Sequence, residues 1–228
     1  MADMSFAFIF DLDGVVIHSN PLHRLAWQSF LQDRGIELTD RLFSEVIAGK
    51  TGDASLQSLF DGGLSAGEID ASLNAIDAEY RNILRKSNAF PAVPGVIPFL
   101  NECRDLGLVT ALATSAPPEN VSLSLELLHL ESEFRVVLDK THVSRGKPHP
   151  EVYLKTLSIL GLDPFDAVVF EDSKAGIRAA RAAGIPVVGI ATGHTPDELR
   201  KEGAFLTAAD FRALRPADVL RESRSQRP

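Results

Sequence analysis

Four apolar runs constrain the fold of this chain more than any other feature, because each run is nearly continuous. They cover residues 6–10, 108–113, 167–170 and 186–191. A strand with one face in water alternates apolar and polar residues, whereas a strand covered on both faces does not. The four runs therefore predict the central strands of a parallel sheet. A weaker run at residues 135–138 is a fifth candidate strand.

Helical patterns alternate with these runs from about residue 95 onward. Residues 94–107 end at Gly107, and the Ala-rich segment 173–184 ends at Gly184. A glycine just beyond the last turn is a common end of a helix. Strands that alternate with helices in this way predict an α/β fold with a doubly wound, mostly parallel, Rossmann-like sheet.

Residues 18–88 interrupt the series, since they show helical patterns and no strand signal. Asn20 is a candidate N-cap followed by Pro21, and Ser65 forms a capping-box pattern with Glu68. We therefore predict a discontinuous α/β catalytic core, residues 1–17 and 89–228, with an all-helical cap inserted at residues 18–88. The polar tail at residues 221–228 is expected to be disordered.

Composition limits the partners and the compartment. The formal net charge of −8 argues against nucleic acid or an anionic membrane as the main partner. Cys103 is the single cysteine, so an internal disulfide is impossible, which fits a reducing compartment. The apolar run near the N-terminus is too short for a signal peptide or a membrane span. We expect a cytoplasmic protein that acts as a monomer.

Two carboxylates stand where the first strand ends, at Asp11 and Asp13, and Gly14 follows them. Residues i and i+2 of a strand face the same side, about 6–7 Å apart. One carboxylate could attack a phosphorus atom while the other handles a proton on the leaving oxygen. A carboxylate that attacks a phosphate brings two negative charges together. At about 4 Å and an effective dielectric constant near 20, their repulsion costs about 4 kcal/mol, so the reaction requires a cation and fixed hydrogen-bond donors.

The remaining groups for this chemistry follow at other strand ends. Thr114 and Ser115 directly follow the second run and precede a helix start, an arrangement typical of a phosphate-binding site. Lys147 lies in a Gly/Pro loop, and Glu171 and Asp172 directly follow the run at residues 167–170. Carboxylate oxygens suit magnesium. In an open α/β sheet, ligands bind beyond the carboxyl ends of the strands, where all of these groups are expected to meet.

These motifs carry a family resemblance over nearly the whole chain. The stretches DLDGVV, ATSA, RGKPHPEVY and VFEDSKAGIRAARAAGI resemble, in this order, those of the haloacid dehalogenase superfamily. The branch that they resemble most is the group of β-phosphoglucomutases and sugar-phosphate phosphatases, whose helical cap follows the first motif. The resemblance implies an enzyme that transfers phosphate and uses Mg²⁺.

The resemblance also implies a role for each matched residue. Asp11 would be the nucleophile that forms an aspartyl-phosphate, and Asp13 the general acid and base. Thr114, with the backbone around Ser115, would bind phosphate, and Lys147 would balance the charge of phosphate and Asp11. The implied metal ligands are Asp11, the carbonyl of Asp13, Asp172 and Glu171, the last either directly or through a neighbouring group.

The cap distinguishes the branches of the family. His23 and Trp27 match a pattern common among the mutases, and the sequence leaves open whether they pack in the cap or touch substrate. Gly52 and Ile76 stand where a mutase carries cationic residues, and Lys50 is a candidate replacement. The cap pattern therefore favours a phosphatase over a mutase. His18 also departs from the family, since an aspartate is common at that position.

We predict a magnesium-dependent phosphatase of small phosphorylated metabolites, with sugar phosphates as the expected substrates. The first alternative is a β-phosphoglucomutase-type phosphosugar mutase. The second is a phosphoacceptor signalling module, which also combines an aspartate, a hydroxyl, a lysine and an acidic pair, but lacks the helical insert. The third is a binding protein that uses the same scaffold without catalysis. The stretch AGKTGD is not a nucleotide-binding phosphate loop, because position 44 is serine and no strand precedes it.

Overall fold

The computed structural model describes residues 6–47, 51–87 and 92–226. Within them the strands form one six-stranded sheet in the order β3-β2-β1-β4-β5-β6, and every neighbouring pair is parallel. The predicted α/β fold with a parallel sheet is confirmed. The strands are β1 (Ala7–Phe10), β2 (Val109–Ala113), β3 (Val136–Leu138), β4 (Ala167–Glu171), β5 (Val187–Ile190) and β6 (Leu206–Ala208).

The sheet confirms all five candidate strands and adds β6, which the sequence did not predict. This strand has only three residues, LTA, and all of them are half-buried. A run that is this short and includes a threonine lacks the continuous apolar character that marked the central strands. It lies at the sheet edge beside β5, where strand sequences are less constrained by burial.

Two compact units make up the chain. We call Met1–His18 with Phe90–Pro228 the core unit, and Ser19–Ala89 the cap unit. The cap unit contains helices only, within the part of it that the structure describes. Its α-helices are α1 (Asn20–Gln32), α2 (Asp40–Leu42), α3 (Gly52–Leu59) and α4 (Ala66–Lys86), with a π-helical turn at Phe43–Ile47.

In the cap unit, α1 packs along α4 because both helices carry an apolar stripe. The capping box at the start of α4 is confirmed: Ser65 N–H donates to Glu68 Oε2 at 2.8 Å, and Glu68 N–H donates back to Ser65 Oγ at 3.4 Å. The N-cap prediction for α1 was wrong by one position. Asn20 is the first helical residue and Ser19 the cap, which leaves Pro21 within the first turn.

The two faces of the core sheet have different side chains. Along β1, Ala7 and Ile9 join a largely aliphatic cluster that also includes residues of three helices, α7 (Glu151–Leu160), α8 (Lys174–Ala182) and α9 (Pro196–Glu202). Phe8 and Phe10 lie on the opposite face, where their rings contact other buried aromatic rings, chiefly those of Phe99, Phe170 and Phe211. The helices of the core unit are α5 (Val96–Asp105), α6 (Pro118–Leu128), α7 (Glu151–Leu160), α8 (Lys174–Ala182), α9 (Pro196–Glu202) and α10 (Pro216–Arg224).

The structure of the C-terminal tail differs from the prediction. Residues 221–224, which we expected to be disordered, form the last turn of α10. Val219 and Ser223 are buried, and α10 contacts α5. The polar composition of the tail concealed a narrow packed face, since only one residue in each turn is buried.

None of the described helices is long and apolar enough to cross a membrane.

Candidate active site

The candidate site lies at the carboxyl edge of the sheet, around the end of β1. Phe10 is in register with Leu112 of β2 on one side and with Phe170 of β4 on the other. The next residue, Asp11, donates its backbone N–H to the Phe170 carbonyl at 3.0 Å. This edge is where the strand order reverses, with β2 and β4 on opposite sides of β1. Ligands of open α/β sheets bind at such a point.

A tight turn follows Asp11 and directs the chain back across the edge. The N–H groups of Val16 and Ile17 donate to the Leu12 carbonyl at 2.9 and 3.0 Å, and Gly14 N–H donates to the Ile17 carbonyl. Gly14 has φ of +74°, a conformation that favours glycine. A Cβ atom added there would also overlap the Asp172 carboxylate. Glycine is therefore required both by the backbone and by the adjacent carboxylate.

Lys147 joins three strand ends. Its Nζ lies 2.9 Å from Asp11 Oδ1, 2.6 Å from Glu171 Oε1 and 3.1 Å from the Ala113 carbonyl. Burial lowers the pKa of Lys147, but the charges of Asp11 and Glu171 outweigh it and hold that pKa well above its usual value. The raised pKa favours the charged form of the lysine next to Asp11. Its role in balancing the charge of phosphate and Asp11 stays a prediction.

Glu171 is fully buried, and protein donors surround its carboxylate. Its Oε1 accepts from Lys147 and from the Tyr153 hydroxyl, the latter at 2.8 Å. Its Oε2 accepts from Asp172 N–H at 3.1 Å, and from the N–H and hydroxyl of Ser173 at 3.2 and 3.0 Å. A carboxylate has about four lone-pair sites, so the five donors found in the described residues occupy all of them. Glu171 thus fixes both the lysine and the loop after β4.

Asp11, Glu171 and Asp172 form a buried acidic cluster. One carboxylate oxygen from each lies within 4.8 Å of the others. Burial raises the pKa of Asp11 to about 7, helped by Glu171 and Asp13, while Lys147 opposes the shift. Three buried carboxylates beside the Lys147 ammonium group concentrate negative charge at this edge. Their oxygen donors are of the kind that Mg²⁺ prefers, so the residues fit the predicted metal.

Thr114 and Ser115 follow β2, as expected. Thr114 is buried, its N–H donates to the Leu138 carbonyl at 2.9 Å, and its Oγ1 accepts from Ala116 N–H at 3.1 Å. Ser115 is exposed. The predicted helix start is confirmed, because α6 begins at Pro118. The strand end and the helix N-terminus are thus adjacent, and the phosphate-binding role of both residues stays a prediction.

The predicted residues of the cap unit have different surroundings. The His23 ring stacks on Tyr80, with ring centroids 4.1 Å apart. Trp27 is only 7% exposed and packs edge-on against Phe30, which favours a packing role. Lys50 lies outside the described residues. The substrate contacts that we expected for His23, Trp27 and Lys50 stay predictions.

The two departures from the mutase pattern also have structural surroundings in the cap unit. Ile76 is 4% exposed and belongs to the apolar stripe of α4. A Cβ atom added at Gly52 would collide with the Leu73 side chain, so α3 approaches α4 closely at this glycine. Both positions are therefore used for packing within the cap unit.

Sequence reasoning missed four side chains that support the site. Tyr153 and Ser173 contact Glu171, as described above. Thr192 and His194, after β5, contact Gly14 and Asp172. One signal was available for the last two: they directly follow a predicted central strand, at the edge where ligands bind. Tyr153 lies in a helix, and only the folded chain reveals its contact.

A family comparison agrees with this geometry. The family described as haloacid dehalogenase-like hydrolases matches residues 8–190, which run from the second residue of β1 to the end of β5 and include all the predicted catalytic residues of the core. The chain belongs to this family. The resemblance inferred from the four motifs is confirmed. So is the predicted enzyme class, a phosphoric monoester hydrolase of the haloacid dehalogenase type.

Individual relatives fall on both sides of the phosphatase and mutase alternatives. The "Phosphorylated carbohydrates phosphatase" of Thermotoga maritima is 31% identical over 215 residues, covering 94% of this chain and 96% of that protein. The "Beta-phosphoglucomutase" of Bacillus subtilis is 30% identical over 193 residues, covering 82% and 84%. A solved haloacid dehalogenase hydrolase of family IA, variant 3, from Entamoeba histolytica superposes with a TM-score of 0.89. It is 26% identical and covers 96% of this chain and 99% of that chain.

Proposed function

We propose that this chain is a magnesium-dependent phosphatase of small phosphorylated metabolites, among them sugar phosphates, and that it works through an aspartyl-phosphate at Asp11. The observation that carries the proposal is the buried Asp11 carboxylate, held by Lys147 beside an acidic cluster at the carboxyl edge of the sheet. The similarity to a phosphatase of phosphorylated carbohydrates supports the substrate class.

In the first step, an Asp11 carboxylate oxygen attacks the phosphorus atom of the monoester. The bond between phosphorus and the ester oxygen breaks, and Asp13 donates a proton to that oxygen as the alcohol leaves. Lys147 keeps Asp11 oriented through the 2.9 Å contact to Oδ1 and offsets part of the charge that accumulates. The product is an aspartyl-phosphate at Asp11.

In the second step, water hydrolyses this intermediate. Asp13, now ionised, accepts a proton from the water as the water oxygen attacks phosphorus. The bond between phosphorus and the Asp11 oxygen breaks, which releases inorganic phosphate and restores the Asp11 carboxylate. Asp13 is thus an acid in one step and a base in the next, as the general acid and base of a two-step hydrolysis must be.

We further propose that Mg²⁺ is held by the carboxylates of Asp11 and Asp172 and by the Asp13 carbonyl. When bound, the ion would supply positive charge next to the transferred phosphoryl group. Glu171 is assigned an indirect role, because protein donors already occupy its lone pairs. It orients Lys147 and the Asp172 backbone instead.

We expect no nucleic-acid partner, since the net charge of −8 would repel one. The monomeric state predicted from the sequence is kept as part of the proposal. Gel filtration with light scattering measures it directly, and a mass near 24.7 kDa is the expected result.

A phosphate-release screen tests the function. The protein is incubated with phosphorylated sugars and related metabolites in Mg²⁺, and free phosphate is measured. Asp11→Asn is the control, because an amide of nearly the same shape cannot act as the nucleophile. We expect steady release by the native chain and a loss of at least ~10³-fold in the variant. Absence of release from every substrate, or full activity in Asp11→Asn, would overturn the proposal.

A further inference from the structure

The segment that follows β5 connects the two parts of the proposed metal site. We propose that Thr192 is a positioning residue for this site: its hydroxyl fixes the Gly14 turn against Asp172 and so sets the spacing of the ligands contributed by these two segments. His194 anchors the Asp172 backbone from the same segment. The inference rests on the proposed function, because it concerns the cation assigned to Asp11 and Asp172.

The Thr192 hydroxyl lies between two groups of the site. Its Oγ1 is 2.6 Å from the Gly14 carbonyl and 3.3 Å from Asp172 Oδ2. A hydroxyl has one proton, and the shorter distance assigns that proton to the Gly14 carbonyl. Thr192 therefore offers Asp172 Oδ2 no second proton. No hydrogen bond from Thr192 therefore competes with a cation for this carboxylate oxygen.

Gly14 is the residue of the turn whose backbone most requires an anchor. Glycine has the widest conformational freedom, and this one adopts a positive φ with the Asp172 carboxylate against its α-carbon. The peptide on its N-terminal side carries the Asp13 carbonyl, a proposed metal ligand. Fixing the Gly14 carbonyl removes one of the rotations by which the Asp13 carbonyl would turn away.

His194 supplies the second anchor. Its Nδ1 lies 3.0 Å from the Asp172 carbonyl. Because a carbonyl oxygen only accepts, the Nδ1 atom carries the proton and the ring donates. The segment from Thr192 to His194 thus holds the Gly14 turn with one residue and the Asp172 backbone with the other. These contacts join the end of β5 to two segments that are distant from it in sequence.

The test is a direct measurement of Mg²⁺ binding in the absence of substrate. Thr192→Val keeps the side-chain shape and removes the hydroxyl, whereas Thr192→Ser keeps the hydroxyl. Removal of a group that orients metal ligands typically weakens metal affinity 10- to 100-fold. In titration calorimetry on the whole chain, we therefore expect Thr192→Val to raise the Mg²⁺ dissociation constant by about tenfold or more, with Thr192→Ser within about twofold of the native chain.

Two controls keep the outcomes separate. Thermal unfolding establishes that each variant is folded, and Thr192→Ala replaces Thr192→Val if the added methyl prevents folding. Native-like Mg²⁺ affinity in the variant without the hydroxyl overturns the inference, and so does an equal loss in Thr192→Ser. Asp172→Asn tests the underlying proposal: if that variant binds Mg²⁺ as tightly as the native chain, the metal site itself has been misassigned. If only Asp172→Asn loses binding, the metal site stands and the role of Thr192 fails.

Discussion

Lys147 is the single side chain on which the geometry of the site depends most. It reaches the residue after β1, the last residue of β2 and the last residue of β4. Each contact crosses the sheet edge between segments far apart in sequence. The two carboxylate partners would repel each other without the ammonium group between them. The lysine therefore has a structural effect on the edge in addition to its proposed effect on the phosphoryl group.

We expect the Asp11 carboxyl to make the proposed magnesium binding dependent on pH. Burial raises the pKa of Asp11 to about 7 in the metal-free chain, so the group is mostly protonated below that pH. A metal ligand must be ionised, and protons therefore compete with Mg²⁺ below pH 7. We expect the Mg²⁺ affinity to fall roughly tenfold per pH unit below 7 and to level off above it.

Calorimetry in buffers with different ionisation enthalpies measures the protons released on Mg²⁺ binding. We expect nearly one proton at pH 6 and almost none at pH 8. The slope should disappear in Asp11→Asn, which retains no titratable group at this position. An affinity that is flat between pH 5.5 and 8 in the native chain would contradict the assignment of Asp11 as a ligand.

Tyr153 is expected to contribute to stability through Glu171. The Tyr153→Phe variant removes one donor from a fully buried carboxylate while keeping the ring. We expect a loss of about 1–3 kcal/mol in the free energy of unfolding, the usual cost of withdrawing a hydrogen bond from a buried charged group. Urea unfolding of Tyr153→Phe, Glu171→Gln and the double variant measures the coupling. Strictly additive losses would show that the hydroxyl does not act through Glu171.

At the scale of elements, the strand ends were predictable and the supporting contacts were not. A continuous apolar run has a definite last residue, and in a parallel sheet the carboxyl ends meet at one edge. That rule alone predicts that Asp11, Thr114 and Glu171 lie at the same edge of the sheet. Tyr153 is different, because its hydroxyl acts only after α7 has packed on the sheet. Its sequence surroundings are those of an ordinary core tyrosine.

Helix α10 shows why composition misled at the C-terminus. Charged residues dominate its last turn, yet Val219 is 1% exposed. We expect Val219→Ala to lower the free energy of unfolding by about 1–3 kcal/mol, as truncations of buried side chains do. Glu222→Ala is the matched control on the exposed face of the same helix, with an expected change within about 0.5 kcal/mol. Equal small effects in urea unfolding would contradict a packed face on α10.

For the whole molecule, the decisive question is whether phosphate or an isomerised sugar phosphate is released. A mutase has to retain a bisphosphate while it turns round, so a second phosphate needs about two charge-assisted donors, each contributing about 1.5–3 kcal/mol. Gly52 and Ile76 offer no such side chains. The loss of two such contacts would weaken bisphosphate retention by ~3–6 kcal/mol, a factor of ~10² to 10⁴. We therefore expect hydrolysis to outpace isomerisation.

In the test, the protein is given β-glucose 1-phosphate with a catalytic amount of the corresponding bisphosphate. The rates at which free phosphate and glucose 6-phosphate form are both measured. Faster isomerisation than phosphate release would reverse the assignment. A second cationic site would then have to come from Lys50 or from another residue such as Arg81. If phosphate release is faster, as we expect, the Lys50→Ala variant is tested on the same substrates. A changed substrate preference in this variant would indicate that Lys50 contacts the substrate.

One face of the sheet is aliphatic and the other aromatic, and this difference determines what a register error of β1 would do. Along β1, small or aliphatic side chains alternate with phenyl rings. A shift of β1 by one position relative to its neighbours would send rings into the aliphatic side and leave voids among the aromatic ones. The same shift would move Asp11 about 3.3 Å along the edge, out of reach of Lys147. A chain with β1 in the wrong register would thus be both poorly packed and catalytically inactive. The specific activity of a preparation would therefore report the fraction of chains whose central strand is correctly paired.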